Sequence, residues 1–462
     1  MAEQPSDEAR LELTFNANEE IAAVIVPDKN EIIKKKTVVC WRKTSNEPSF
    51  IKGTNPLYMP LHYVLICPYG TPGWTINDAK KISMLTYYRQ IILRCEALHI
   101  LGRLLNEFCV DMYSAIENNR LGWIRHNQQK ILRKSDLDDR NEEGRVFLPA
   151  SFVGSFRHNQ KLFADGLAIV SRLKNPTYFI TFTCNPNWEG ITERLLPGQN
   201  ASDRPDIVAM VFKAKLQKFL HCLPKLLNGK KEVYKIHVVE FQARGLPHTH
   251  VLVKMENEPQ TGADIDKVIS AELPTEPELL QKVLKHMMHS HYPERCYRTK
   301  AEKDSKKCHY TYPKPLNGET YLDEAGYPHY RRRQENDRNV VPYNPELLKL
   351  FDCHINVEFA SSVTLIMYLY KYIYKGHDQA QGCLSKDEIK QFIAGRLLTA
   401  SEATWRIFGY ELTRRRPAVT NFPVHLQNQN YVIYDSSISS SKEMAVDRIS
   451  KLERYFARPY GE

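Results

Sequence analysis

Two histidines and a tyrosine-rich segment are the residues of this 462-residue chain whose types and spacing could do chemistry. The histidines stand in GLPHTHVLV, which begins at Gly245, and the tyrosines stand in YLYKYIYKG, which begins at Tyr368. Imidazoles bind divalent ions, and a tyrosine phenol can attack phosphorus. Together the segments suggest metal-assisted attack of a tyrosine on a phosphodiester.

The spacing of the histidines predicts a strand that carries both on one face. Side chains alternate along a strand, so in residues 248–254 His248 and His250 project together. Residues 233–242 have the pattern of the preceding antiparallel strand, with Gly245 at the centre of the hairpin loop. Such a hairpin would bring ligands from both strands to one point.

The same register supplies two further candidate metal ligands. It places Gln242 opposite His248 and Glu240 opposite His250, and either side chain could be the third ligand. Imidazoles with a carboxylate or amide suit one Mg²⁺ or Mn²⁺ with open positions for water and a phosphate oxygen. The alternative is that the two histidines are polar residues on the solvent face of an amphipathic strand.

The tyrosine segment predicts a helix with two pairs of phenols. At ~100° per residue, Tyr368 and Tyr372 lie about 40° apart, and Tyr370 and Tyr374 form a second pair roughly opposite. Lys375 falls within about 20° of Tyr368, where a cation could meet a phosphate. Periodicity does not choose between the pairs, and an aromatic helix packed against a sheet is the alternative.

Composition indicates a globular, intracellular chain that favours polyanions. The formal net charge is +10, and 42% of the residues are hydrophobic. The first thirty residues do not resemble a signal peptide, and no run of eighteen apolar residues occurs, so we expect no membrane association. Ten scattered cysteines are expected to be mostly buried thiols.

Three regions are predicted along the chain. Residues 1–145 have short strands and then long helices, and they end in the charged linker KSDLDDRNEEGR. Residues 146–386 mix strands with helices, and 387–462 form a C-terminal extension packed on them. Residues 178–184 predict a half-buried strand. Basic runs with aromatic residues nearby in sequence are candidates for contacting a nucleic acid strand: Lys34–Lys36, Arg331–Arg333, Arg414–Arg416, Trp188, Tyr330 and Trp405.

From about residue 55 to its end, the chain resembles the replication-initiator region of Helitron rolling-circle transposases, members of the HUH endonuclease superfamily. The segments that carry the resemblance, in the family's order, are LHYVLICPYGTPGW, NRLGWIRHNQQKILR, FLPASFVGSFRHNQKLFADGLAIV, YFITFTCNPNWEGI, RPDIVAMVFKAKL, VVEFQARGLPHTHVLV, GYPHYRRR, VVPYNPELLKLFDCHINVE, YLYKYIYKGHD and SEATWRIFGYEL.

The resemblance implies a metal site on the hairpin. His248 and His250 match the family's metal-binding pair, and Thr249 fills the middle position that is usually hydrophobic. Glu240 stands where related initiators place an acidic ligand eight residues ahead of the first histidine, with Gln242 as the fallback. One divalent ion, Mg²⁺ or Mn²⁺, is implied.

The resemblance also selects the nucleophiles. The family's twin tyrosines occur in a Tyr-x-x-Lys-Tyr-x-x-Lys pattern, which maps onto Tyr368, Lys371, Tyr372 and Lys375. The implied activity is metal-dependent nicking and joining of single-stranded DNA through a 5′-phosphotyrosine, in rolling-circle transposition. The stretch TFTCNP, which ends at Pro186, resembles the first initiator motif.

Fold and partners follow from the same resemblance. We expect an α+β fold with a central antiparallel sheet of the HUH/Rep type, helices on one side, and an N-terminal DNA-handling module. The implied partner is single-stranded DNA at transposon ends, in the nucleus. No Gly-x-x-x-x-Gly-Lys-Ser/Thr occurs, so we expect the helicase that normally follows this region to be supplied elsewhere.

One part departs from the family's pattern, which often has a cysteine cluster between the histidine and tyrosine motifs. Here His289, His291, Cys296, Cys308 and His309 are irregularly spaced in a charged stretch. We predict solvated loop residues and a buried thiol, with a structural Zn²⁺ as the alternative.

Two other functions remain open. One is a catalytically idle DNA-binding module that recognises transposon ends. The other is a metal-dependent nuclease that uses water, in which the tyrosines only pack.

Overall fold

The computed structural model describes residues 12–15, 21–24, 37–41, 48–75, 82–131, 146–227, 231–241, 245–290, 296–297, 308–360, 387–422, 424–427, 429 and 449–458. Before residue 51 the description covers the backbone alone.

Strands in these ranges form one central sheet and three two-stranded sheets, all antiparallel. In chain order they are β1 (Glu12–Phe15), β2 (Ile21–Val24), β3 (Thr37–Trp41), β4 (Pro48–Lys52), β5 (Tyr178–Thr183), β6 (Glu232–Phe241), β7 (Pro247–Met255), β8 (Tyr321–Leu322), β9 (Pro328–His329), β10 (Ile355–Phe359) and β11 (Thr413–Arg416).

Helices surround the central sheet. In chain order they are α1 (Tyr58–His62), α2 (Met84–Arg94), α3 (Glu96–Ile100), α4 (Arg103–His126), α5 (Gln128–Ile131), α6 (Phe156–Leu173), α7 (Glu189–Thr192), α8 (Pro205–Leu226), α9 (Gly262–Asp266), α10 (Pro277–His286), α11 (Pro345–Phe351), α12 (Glu388–Ala394), α13 (Ala400–Ile407) and α14 (Lys451–Phe456). No helix among the described residues is long and apolar enough to cross a membrane.

The central sheet has the strand order β10-β5-β7-β6-β11. β7 lies in the middle and is hydrogen-bonded to β5 on one side and to β6 on the other. The register of β7 is therefore fixed at both of its edges. This arrangement confirms the predicted α+β class and the antiparallel sheet.

One face of β5 and β7 forms the main core. Ile180, Phe182 and Val251 are completely buried there. The ring of Phe182 lies 4.4 Å from that of Phe219 and 5.6 Å from that of Phe212, between centroids, and both of these residues belong to α8. Because side chains alternate, burial of this face turns the neighbouring residues of β5 and β7 to the other face.

That second face is covered in part by α6. Ile169 and Val170 of α6 pack with Phe179, Ile236 and Leu252 of the sheet. Helices thus lie on both faces of the sheet rather than on the predicted single side. The physical reason is that part of the second face is apolar and needs a cover, which the amphipathic α6 provides.

C-terminal residues complete the sheet and its core. β11 forms the edge strand beside β6, and Arg415 of β11 pairs with the buried carboxylate of Asp165 in α6. α13 packs against α4 and α8. The predicted division at residues 145 and 386 stays a prediction.

Acid sensitivity follows from a buried histidine of β6. His237 is 8% exposed, and burial together with the nearby Lys235 and Lys213 lowers its pKa from 6.5 to about 3. Above pH 6.5 the side chain is neutral in both the folded and the unfolded chain. Below that, only the unfolded chain takes up the proton, so the free energy of unfolding falls until the pH reaches about 3.

We predict that His237→Leu removes about 2 kcal/mol of the stability loss between pH 7 and pH 5. Urea unfolding at the two pH values measures it. His126→Leu, at an exposed position, is the control and should leave the pH dependence unchanged. An equal pH dependence in His237→Leu and the wild type would contradict the assignment.

Candidate functional site

The β6–β7 hairpin brings a carboxylate to both histidines. Phe241 pairs with Pro247, so Glu240 lies directly opposite His248. The Glu240 Oε2 atom is 3.4 Å from His248 Nε2 and 3.7 Å from His250 Nε2. The hairpin thus places one carboxylate oxygen beside two imidazole nitrogens.

The predicted register of the hairpin is wrong by two residues, which changes the cross-strand partners but keeps the same side chains on each face. It set Gln242 opposite His248 and Glu240 opposite His250, with Gly245 at the centre of the loop. In the structure the loop has five residues and its centre is one position earlier. Gly245 is the fourth of the five loop residues, and its φ of 77° lies in the left-handed region that favours glycine. Gln242 lies outside the described residues.

The three ligand atoms form a compact group on the second face of the sheet. All lie within 4.8 Å of one another, and the two imidazole rings are nearly perpendicular, at 88°. Neighbouring ligands of an octahedral Mg²⁺ lie about 3 Å apart, and the two distances from Glu240 to the histidine nitrogens exceed that value by less than about 1 Å. Glu240, His248 and His250 are all partly exposed, which leaves room for further ligands. The donor set fits a divalent ion, and the geometry does not identify which one.

Thr181 of β5 orients one of the histidines. It lies opposite His250, and its Oγ1 is 3.0 Å from His250 Nδ1. A hydrogen bond from Nδ1–H to this hydroxyl leaves the Nε2 lone pair directed toward Glu240. The ring of Phe179 stacks on the His250 ring, with centroids 5.5 Å apart and an interplanar angle of 12°. The His250 ring is therefore held by a hydrogen bond and a stacking contact.

Thr249 shows how a polar residue can fill the middle position of the motif. It is completely buried on the core face, and its Oγ1 donates a 2.8 Å hydrogen bond to the Val238 carbonyl. Because its hydroxyl is satisfied by the neighbouring strand, burial of threonine there costs little.

His354 is a neighbour of the site that sequence reasoning did not single out. It precedes β10, its carbonyl accepts a hydrogen bond from the Thr183 N–H, and its Nδ1–H donates to the His286 carbonyl at 2.8 Å. Burial lowers the pKa of His354, with the charge of His248 adding to the effect. His354 therefore stays neutral near pH 7 and adds no positive charge beside the metal group.

The sequence contains only weak indications that Thr181, His354 and Asn185 support the site. Thr181 stood on the predicted polar face of its strand, which the structure confirms, but nothing in one sequence paired it with His250. His354 stood within a segment that was noted only for its family resemblance. Asn185, in the stretch TFTCNP, donates through Nδ2 to the Asp352 carbonyl at 2.7 Å and thereby ties the end of β5 to the start of β10.

The aromatic residues proposed to stack on DNA are buried instead. Trp405 is completely buried, Trp188 is 4% exposed, and Tyr330 is 9% exposed. The Trp188 Nε1–H donates to the Phe351 carbonyl, and Tyr330 Oη accepts from the Phe359 N–H. Each polar atom has a partner inside the protein, so these rings belong to the core.

Two of the basic runs are used mainly inside the fold. Arg332 is 3% exposed and donates to three backbone carbonyls. Arg331 and Arg333 both pair with Glu272. In β11, Arg415 pairs with Asp165, whereas Arg414 is exposed. Only part of the predicted basic surface is thus available to a polyanion, and Lys34–Lys36 lie outside the described residues.

A second group of potential metal ligands lies elsewhere in the chain. His289, Cys296 and Cys308 place their ligand atoms within 4.8 Å of one another, and both cysteines are buried. The predicted burial of a thiol is confirmed at both cysteines, whereas the prediction of solvated loop residues is wrong here because the fold gathers these three positions. His291 lies outside the described residues, and His309 is exposed.

The predicted nucleophile segment lies outside the described residues, which stop at residue 360 and resume at 387. This applies to Tyr368, Lys371, Tyr372 and Lys375, and to the competing pair Tyr370 and Tyr374. The assignment of these residues stays a prediction from the sequence.

Comparison with known proteins bears on the same region. Residues 84–253 match the family model described as the Helitron helicase-like domain at the N-terminus. The match supports a Helitron-related protein. It covers more than a third of the chain and includes Glu240, His248 and His250, but it ends before β10 and the tyrosine segment. No curated protein matches the chain.

We predict that Thr181→Val weakens Mn²⁺ binding by about 10-fold to 100-fold, because the orienting hydrogen bond to His250 is lost while the shape is kept. Isothermal titration calorimetry measures the Kd. Thr183→Val, one pair along the same strand face, is the control because it leaves this hydrogen bond intact. Equal affinities for both variants would rule out the orienting role.

Proposed function

We propose that this chain nicks and joins single-stranded DNA through a tyrosine, as the initiator of a Helitron-type rolling-circle transposition. The observation that carries the proposal is the convergence of Glu240, His248 and His250 on one sheet face, inside the part of the chain that matches the Helitron-like domain. Two adjacent strands that are buried on one face and carry three metal-ligating groups on the other offer a place where a metal ion could activate a phosphate.

In the proposed step, a Tyr368 or Tyr372 phenol oxygen attacks the phosphorus of a phosphodiester. A bond from tyrosine oxygen to phosphorus forms, and the bond from phosphorus to the 3′-oxygen breaks. The phenol loses one proton and the leaving 3′-oxygen gains one, so the step is balanced. Because a phosphodiester bond is exchanged for another, rejoining needs no nucleotide cofactor.

Residues of the hairpin would prepare the phosphate. A divalent ion held by Glu240, His248 and His250 would supply Lewis-acid activation of the scissile phosphate. Thr181 and Phe179 fix the His250 ring before substrate arrives, so this part of the site needs little rearrangement. Lys371 and Lys375 are proposed to offset charge on the phosphate.

Chain length allows the tyrosines to reach the hairpin. β10 lies beside β5, which lies beside β7, and Phe359 pairs with Tyr178 at the end of β5 away from the histidines. A five-residue strand spans about 17 Å. Eight further residues can cover up to about 27 Å, which is enough for Tyr368 to return to the histidine row.

Partners follow from the same proposal. The substrate would be single-stranded DNA at transposon ends, the site of action the nucleus, and the strand-separating motor a helicase. The exposed Arg414 is available for phosphate contacts.

We predict that the wild-type chain forms a covalent adduct with an end-labelled single-stranded oligonucleotide in Mn²⁺, visible on a denaturing gel. Tyr368→Phe with Tyr372→Phe should abolish the adduct. Tyr370→Phe with Tyr374→Phe is the matched control and should retain it. The reverse result would overturn the choice of nucleophiles; binding without cleavage would indicate an idle module, and free 5′-phosphate products a nuclease that uses water.

We further predict that His248→Ala with His250→Ala reduces the cleavage rate by at least about 100-fold but changes DNA affinity little, because phosphate contacts elsewhere carry binding. Fluorescence anisotropy measures affinity, and the gel measures cleavage. EDTA should have the same effect on the wild type. Cleavage that persisted in EDTA would contradict a role for the metal.

A further inference from the structure

The cluster of His289, Cys296 and Cys308 lies apart from the hairpin site and shares no residue with it. His289 Nε2 is 3.4 Å from Cys296 Sγ and 3.4 Å from Cys308 Sγ. Both thiols are buried, with Cys296 at 0% and Cys308 at 5% exposure. Two soft ligands and one imidazole thus surround a single point in the interior.

We propose that these three residues bind a structural Zn²⁺. In a tetrahedral site with Zn–S of about 2.3 Å and Zn–N of about 2.0 Å, a sulfur and a nitrogen ligand lie about 3.5 Å apart. Both Sγ to Nε2 distances match this value. Thiolates with an imidazole are the ligands that zinc prefers, whereas Mg²⁺ and Ca²⁺ prefer oxygen.

Hydrogen bonding alone is a poorer account of the same geometry. A neutral imidazole Nε2 carries either one hydrogen or one lone pair, so it makes one good hydrogen bond to a thiol rather than two. A Zn²⁺ ion among the three atoms would engage all of them at once. Its binding would displace one proton from each thiol, which offsets the charge of the ion.

The surroundings hold the imidazole in place. The ring of Tyr312 stacks on that of His289, with centroids 4.2 Å apart and an interplanar angle of 12°. Lys314 Nζ lies 4.9 Å from the centroid of the Tyr312 ring on which it rests. The His309 N–H donates to the Cys296 carbonyl at 2.7 Å, which joins the chain around the two cysteines. Stacking and hydrogen bonds therefore connect the parts of the chain that carry His289, Cys296 and Cys308.

The position of the cluster explains what the ion would stabilise. His289 directly follows Met288, which forms a β-bridge with Val340. Pro342 lies two residues after Val340, and its carbonyl accepts a hydrogen bond from the Val357 N–H of β10. A Zn²⁺ ion would therefore join three positions of the long segment between β7 and β10. That segment is itself hydrogen-bonded to β10, the edge strand that precedes the tyrosine segment.

The test uses the whole chain, purified without a polyhistidine tag, with metal content measured by plasma mass spectrometry. We expect about one zinc per chain, retained after dialysis. Cys296→Ser and Cys308→Ser should each lose it and lower the melting temperature. Cys184→Ser is the matched control, because Cys184 is equally buried but outside the cluster, and it should keep the zinc.

A further variant distinguishes loss of the metal ligands from loss of the fold. His289→Cys keeps a tetrahedral ligand set, so it should retain the metal, and its Co²⁺-substituted form should show stronger thiolate-to-metal absorption than the wild type. A folded wild-type chain that neither contains zinc nor shows such absorption with Co²⁺ would overturn the proposal. A disulfide between Cys296 and Cys308 in the purified chain would do the same.

This inference stands apart from the proposed nicking activity. His248→Ala with His250→Ala should keep the zinc, because neither residue belongs to the cluster. A chain that retains zinc and forms no DNA adduct would sink the nicking proposal alone. A chain that forms the adduct and holds no zinc would sink only the zinc site.

Discussion

Two-sided pairing of β7 is the constraint on which the rest of the site depends. β5 and β6 fix its register from both edges, and the packing of its core face against α8 decides which residues face inward. A slip of one residue would bury His248 and His250 and expose Val251, at a cost of several kcal/mol for the lost apolar burial alone. The stability of the core therefore selects the orientation of the histidines.

The same constraint recruits the partners of the histidines. Fixed registers place Glu240 of β6 and Thr181 of β5 on the histidine face, on either side of β7. α6 covers the apolar part of this face, around Leu252, and the partly exposed histidines remain beyond it. The pairing of Arg415 with the buried Asp165 fastens α6 to the edge strand β11. The apolar part of this sheet face is therefore covered by α6, and the polar part, which carries the histidines, stays accessible.

Sequence periodicity was sufficient for what depends on alternation alone. It identified the β6–β7 hairpin, the shared face of His248 and His250, and the polar face of β5, whereas the antiparallel α+β sheet was expected from the family resemblance. It failed for the hairpin register, because a single glycine does not state which position of a five-residue loop it occupies. It failed again for Trp188, Trp405 and Arg332, which are buried. The sequence does not show whether an aromatic or basic residue contacts DNA or a backbone carbonyl of its own chain, as Trp188 and Arg332 do.

The two groups of metal ligands differ in a way that follows from their surroundings. Glu240, His248 and His250 combine hard and intermediate donors at a partly exposed face, which leaves positions for water and a substrate oxygen. Cys296 and Cys308 offer soft donors that are buried. An ion at the first group could take part in chemistry, whereas thiolate ligands in the interior suit an ion that joins chain segments. Because the second group lies on the segment that is hydrogen-bonded to β10, an ion there would stabilise the surroundings of the strand that leads to the tyrosines.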